Sequence, residues 1–275
     1  MVQTYNEMKL HFENLEARFK GELFYNDSSL HQTNLIAYST DASVYEEKPV
    51  AVALPADTND IVALIAFASQ HKITLIPRAA GTSLAGQVVG NGIVVDISKY
   101  FDQVLEVNEK EKWVRVQPGV IRDDLNAFLR SYGLMFGPET STANRAMIGG
   151  MVGNNSCGFH SIVWGSVRDH LLEASVVLSD GSQAILKAQD NLEDATYSGL
   201  MKKISRELMN LLSDQNNQEL IRKHFPKSSV VRRNTGYALD SLMNTKPFSE
   251  SNRPFNLCRL LAGSEGTLAF VTEVK

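Results

Sequence analysis

Cysteine is scarce: the 275 residues hold only Cys157 and Cys258. Two thiols about a hundred residues apart, with no CxxC pair, read as reduced cytosolic thiols rather than a disulfide framework. They exclude a four-thiolate iron–sulfur cluster ligated by this chain alone. No HExxH or other zinc spacing takes their place, so no metal site is expected. Long apolar runs are also missing, and none approaches the ~18 residues of a membrane span. The opening "MVQTYNEMKLHFENLEARFK" mixes acids and bases and lacks the apolar centre of a signal peptide. Basic excess is absent: 27 Lys and Arg face 31 Asp and Glu, a net charge of −4. That balance argues against nucleic acid as a partner, because phosphate backbones want a basic face. Cytoplasmic residence is the expectation, with a peripheral membrane contact left open. Repeats and low-complexity linkers do not occur.

What is present is an ordinary globular composition, 43% hydrophobic and 21% charged, long enough for one large domain or two small ones. Met8, Phe12, Leu15 and Phe19 share one helical face within residues 1–30, which read as an amphipathic helix followed by a polar turn. "PVAVALP" predicts a strand. Residues 57–72 predict a helix capped at Asp57 or Thr58, with Ile61, Leu64, Ile65 and Ala68 inward. "ITLIPRAA" and "GIVVDI" predict two more strands. Then come a hairpin around "NEKE", a helix from "IRDDLNAFLRSYG" ending at Gly133, and a hairpin turning on Asp-Gly. Further helices are predicted at "LMKKISRELMNLL" and within "VVRRNTGYALDSLM". "AFVTEVK" has the texture of a core strand.

Three small-residue loops invite an anion. "PRAAGTSLAGQ" lies between two strands. Gly81 and Gly86 have P-loop spacing, but Gln87 and Val88 follow where Lys and Ser or Thr are needed, and G-x-G-x-x-G fails at all three loops. What survives is a nest of backbone N–H groups, approached closely because glycine leaves room; a tight connection between packed strands is the alternative. "GPETSTANRAMIGGMVGNNSCG" suits a flat, polar-edged ligand or a helix packed through its glycines. In "GSEGT", Glu265 reads as a cap or as an acceptor for a ligand hydroxyl.

Five segments in order, "PRAAGTSLAG", "GPETSTANRAMIGGMVGNNSCG", "WGSVRDHLLEASVVLSDGS", "RRNTGYAL" and "GSEGTLAFVTEV", together resemble the FAD-binding (PCMH-type) domain of the vanillyl-alcohol-oxidase superfamily. The nearest branch resembles the FAD-linked dehydrogenases of D-2-hydroxy acids: glycolate oxidase D-subunit, D-lactate dehydrogenase and D-2-hydroxyglutarate dehydrogenase. The resemblance implies an α+β fold of two α/β subdomains, the second with a mixed, largely antiparallel sheet. It implies residues 1–44 as a helical arm, 45–100 as the pyrophosphate subdomain and 101–275 as the second subdomain, with a substrate cap domain absent. Backbone N–H groups of Ala79, Ala80, Gly81, Thr82 and Ser83 would cradle the pyrophosphate, beside Pro77, Gly86 and the charge of Arg78. Pro138, Glu139, Thr140, Ser141, Gly149, Gly150, Gly153, Asn154, Asn155, Cys157, Gly158 and Glu265 would complete the cofactor site. Some relatives attach flavin through a histidine in the first loop; residues 77–87 hold none, so non-covalent FAD is implied.

Outside these loops, Arg232, Arg233 and Thr235 read either as a clamp for a substrate carboxylate or as a solvated turn. His160 reads as structural or as facing the flavin, Cys157 as a small buried residue or part of the site, and Trp113 and Trp164 as packing. The implied activity is hydride transfer from a D-2-hydroxy acid to FAD, with an unidentified electron acceptor. The alternatives are another oxidoreductase of the same superfamily and a non-enzymatic nucleotide-binding domain.

Overall fold

The computed structural model describes residues 2–189, 197, 199–227, 229–230, 232–234 and 236–275. Two sheets organise them. The first has the order β1-β2-β4-β3, from Glu22–Phe24 (β1), Ala51–Leu54 (β2), Leu75–Arg78 (β3) and Ile93–Asp96 (β4). β4 inserts between β2 and β3 and runs parallel to both, while β1 adds an antiparallel edge. β2 and β4 are buried at every position, as their continuous apolar runs require of strands covered on both faces. Helix α3, Thr58–His71, crosses between β2 and β3. Asp57 caps it by accepting from the amides of Asn59 and Asp60, and Ile61, Leu64, Ile65 and Ala68 are buried as their spacing demands.

The N-terminal segment is more structured than a single helix. Helix α1 covers Val2–Glu16 and buries Phe12 and Leu15 against the same core as α3. The chain then passes Gly21, whose Cα crowds the Leu54 carbonyl so closely that a Cβ would sit 1.9 Å from it. It continues into β1 and helix α2, Ser29–Ala37. Three residues of edge strand are too short for alternation to reveal them.

The second sheet has the order β5-β6-β9-β7-β8, from Val104–Asn108, Trp113–Val116, Phe270–Val274 (β9), Glu173–Val177 (β7) and Gln183–Lys187 (β8). It is antiparallel at every pair, so the mixed sheet is the first one. Both hairpins form where their turn residues place them, and β9 fills the gap between them. Around this sheet pack α4 (Arg122–Leu129), α5 (Ile148–Asn154), α6 (Ser161–Trp164), α7 (Val167–His170), α8 (Gly199–Ser213), α9 (Gln215–His224), α10 (Leu239–Met243) and α11 (Cys258–Leu261). The pattern predicted no α9; its mostly polar sequence rests on α8 through few buried residues. Val177 and Phe270 reach from this sheet into the core of the first unit, so the two units share apolar packing.

Candidate cofactor site

A cavity of about 320 Å³ opens where the two units meet. Three walls enclose it: the loop leaving β3, the segment running into α5, and the turn between α11 and β9. Residues 77–83 all line it. Gly81 and Gly86 adopt φ of +62° and +76°, the left-handed turns that favour glycine. Among the described residues, the backbone N–H groups of residues 80–83 find no acceptor. Buried or half-buried amides are ordinarily paired, so four consecutive donors without such a partner at a cavity wall have the geometry an anion would require.

Arg78 lines the cavity beside this loop, its guanidinium 2.8 Å from where a Gly81 Cβ would sit. Its Nη1 donates to the Thr40 carbonyl at 2.8 Å, and the guanidinium lies over Tyr38, 5.1 Å from the ring centroid. Tyr38 in turn donates to Asp96 at 2.5 Å; burial, then that carboxylate, raises its pKa.

The second wall is thin by design of its glycines. Gly149 packs on Pro118, where a Cβ would come within 2.5 Å of the proline side chain. A Cβ at Gly150 or Gly153 would approach protein atoms no nearer than 3.5 and 3.7 Å, so these two leave free space along the cavity they line. Thr140, Ser141 and Asn154 line it too, as does Thr142, whose hydroxyl lies 3.3 Å from that of Thr140. The third wall caps α5: Gly263 and Glu265 donate their amides to the carbonyls of Val152 and Gly153 at 2.9 and 3.0 Å. This turn carries Glu265, at φ +52°, into the lining.

Several candidates stand outside the lining. Gly86 lies under the Tyr45 ring, and the Pro138 carbonyl accepts from Arg122. Glu139 accepts from both the amide and Nδ1 of His160, at 2.9 and 2.7 Å. That backbone N–H first, and the imidazole second, hold the Glu139 carboxyl below its usual range. Gly158 is pressed against Glu139, leaving no room for a Cβ. Asn155 is fully buried and accepts from the Arg168 amide at 2.8 Å. Cys157 is half-buried, with Arg232 Nε 3.3 Å from its sulfur and the Asn234 side chain at 3.5 Å. Arg233 pairs instead with Asp240. Thr235 lies outside the described residues. The arginine pair is therefore split between two partners. Trp113 lies beneath Lys275, whereas Trp164 touches Gly137 but is 42% exposed, so it is not a core packing residue.

Sequence reasoning missed the residues that join the walls. Pro118, Ala146, Ser264, Gly266 and the start of β9 through Val271 all line the cavity. The "QPG" turn after the first hairpin was a usable signal for Pro118. It also missed Arg168. This α7 residue is 7% exposed, and its guanidinium donates to the carbonyls of Arg259, Ala262 and Gly236 at 2.9, 2.6 and 3.3 Å.

The family model described as "FAD binding domain" matches residues 49–187, just over half of the chain. The chain belongs to this FAD-binding domain family. Among curated relatives, D-2-hydroxyglutarate dehydrogenase of Pantoea ananatis (strain AJ13355) is 35% identical over 265 residues, covering 93% of this chain and 25% of the relative. Glycolate oxidase subunit GlcD of Bacillus subtilis (strain 168) is 34% identical over 148 residues, 53% of this chain and 32% of that protein. A solved structure of alkyldihydroxyacetonephosphate synthase shares the fold at a TM-score of 0.62 and 18% identity, over 97% of this chain and 42% of that one. The chain spans about a quarter of the length of the first of these relatives. The amides of residues 80–83, the left-handed glycines and the open flank of α5 fit FAD. Among the described residues no cluster of metal ligands occurs, and no helix is long and apolar enough to cross a membrane.

Proposed function

We propose that this chain is the FAD-binding module of a flavin-dependent dehydrogenase that oxidises a D-2-hydroxy acid. The observation that carries the reading is the row of amides at 80–83, without an acceptor among the described residues, on a cavity whose other walls are glycine-lined. FAD, when bound, supplies the hydride acceptor for the substrate α-carbon. The chain's own residues bind and orient. Amides 80–83 hold the pyrophosphate, and Thr140, Ser141 and Asn154 offer hydroxyl and amide partners along the cavity. Glu265 stands ready to accept from a cofactor hydroxyl. Attachment is non-covalent, since residues 77–87 contain no histidine. The substrate class follows the relatives named above, and the pocket for the acid is completed by a further domain. Residence is cytoplasmic, with contact at a membrane surface compatible.

Acid precipitation of the FAD-loaded protein should leave the flavin in the supernatant. Flavin retained in the pellet contradicts non-covalent attachment. Anaerobic bleaching of the flavin by D-lactate, glycolate and D-2-hydroxyglutarate tests the chemistry. The 275 residues alone should bleach slowly or not at all, because orientation by the further domain can supply roughly 7–11 kcal/mol of a barrier. A protein extended through a following domain should bleach with one of these acids. Failure with all of them assigns the module to another reaction on the same fold, and failure of the folded chain to take up FAD removes the cofactor reading.

A further inference from the structure

We propose that residues 40–46, between α2 and β2, form a latch that sets the shape of the cofactor loop, with Tyr45 as its positioning residue. The proposal deepens the reading of 80–83 as an anion cradle and rests on it. The latch is a small hairpin of its own. Thr40 and Glu46 pair as an antiparallel bridge, the Glu47 amide donates to the Ser39 carbonyl at 2.9 Å, and Ser43 donates to Asp41 Oδ1 at 2.7 Å. Three contacts tie it to the loop from outside the cavity. The Ala42 amide donates to the Gly81 carbonyl at 3.1 Å, and the Thr40 carbonyl accepts Arg78 Nη1 at 2.8 Å. The Tyr45 ring lies on Gly86 so closely that a Cβ there would be 2.6 Å from Cδ2.

These contacts fall on the two left-handed glycines and on the strand end that launches the loop. A peptide whose carbonyl is fixed has its N–H direction fixed as well, because the unit is planar. Holding the Gly81 carbonyl outward thus turns the following amide toward the cavity. On the far side, Ser83 donates to Gln87 and closes the loop on itself. The latch has little burial of its own: Val44 is 93% exposed and Tyr45 58%. A segment so exposed opens at low cost. When it opens, the fraction of molecules with a competent loop falls, and apparent affinity falls by the same factor.

The test uses the whole chain and two readouts. FAD affinity is measured by titration for the wild type, Tyr45→Ala, Tyr45→Phe and Val44→Ala. In the ligand-free proteins, trypsin cleavage after Arg78 is timed by mass spectrometry against other tryptic sites. Tyr45→Ala should bind FAD about tenfold more weakly and be cut after Arg78 several times faster, with other sites unchanged. Tyr45→Phe should restore both, because the ring and not the hydroxyl covers Gly86, and Val44→Ala should change neither. Faster cleavage in Tyr45→Ala with no FAD binding by any protein would support the latch and refute the cofactor reading. Wild-type cleavage and affinity in Tyr45→Ala, or a Phe variant as weak as the Ala one, would overturn the latch.

Discussion

Replacing Arg168 by methionine tests the clamp that joins the α11–β9 turn to the rest of the second unit. Methionine keeps much of the aliphatic stem and removes the donors. Three carbonyls then lose a charged donor: that of Ala262 in a buried bond, and those of Arg259 and Gly236 in half-buried ones. An unsatisfied buried carbonyl costs about 1–3 kcal/mol and a lost half-buried bond about 0.5–1.5 kcal/mol, so the gross loss is roughly 2–6 kcal/mol. Against it stands the relief of no longer burying a cation, a burden visible in the lowered Arg168 pKa, which burial causes first and nearby Arg233 second. Among the described residues no carboxylate lies within ion-pair distance to share that burden. A net loss of about 2 kcal/mol is expected, worth roughly 4–8 °C in melting temperature for a chain of this size. Arg168→Lys should recover only part, since a single ammonium cannot reproduce the guanidinium fork. Urea denaturation followed by circular dichroism reads the loss. A methionine variant within about 0.5 kcal/mol of wild type, the scatter of neutral surface changes, would show that the three bonds carry no stability.

Gly81→Val should weaken FAD binding by about a hundredfold in a fluorescence titration. The left-handed turn alone costs an L-residue about 1–2 kcal/mol, or five- to thirtyfold, and the added atoms meet the Arg78 guanidinium, 2.8 Å from an ideal Cβ; unchanged affinity would move the pyrophosphate elsewhere. A thiol reagent at pH 8 should label one cysteine quickly. That is half-buried Cys157, whereas burial pushes the Cys258 thiol up to about 12 and hides it; two fast thiols would contradict the packing around α11. Glu173 loses charge stability to burial, but hydrogen bonds from Arg115 and Lys275 outweigh this and hold its pKa below 4.5. A depressed carboxylate contributes stability that is complete above its unfolded pKa and is lost as pH falls through the folded value. Glu173→Gln should therefore flatten the stability decline below about pH 4.5, and an unaltered acid limb would show the Arg115–Glu173–Lys275 cluster to be idle.

The strands and the loops were legible because their signals are local. Val94 and Val95 sit in a run that only a doubly covered strand explains, and Asp57 announces the start of α3. The left-handed turns of that loop were legible too, since glycines at 81 and 86 ask for them. What could not be read were joints between distant segments. Nothing in "YSTDASVY" says that it lies on the loop near Gly81, because the bond from Ala42 is made by backbone. Nothing local marks Arg168, because its partners are carbonyls up to 94 residues away. Arg232 and Arg233 are neighbours in sequence, yet one turns to Cys157 and the other to Asp240. Adjacent residues in an irregular segment have no fixed relation of faces.

β9 stands in the middle of its sheet although it follows the other four strands in the chain. The Val116–Val274 pairing closes a span of 158 residues, while each flanking hairpin needs only a short turn. Hairpins form in microseconds, but a closure of this length is slow because its entropy must be met before contacts reward it. During synthesis or refolding, β6 and β7 therefore wait with their inner edges unpaired. Two parallel vacancies of this kind attract any extended chain, and aggregation competes with completion. The same vacancy defines a slot of fixed sequence preference. A free peptide carrying residues 270–274 would compete for it, by strand addition, only until the chain's own β9 arrives.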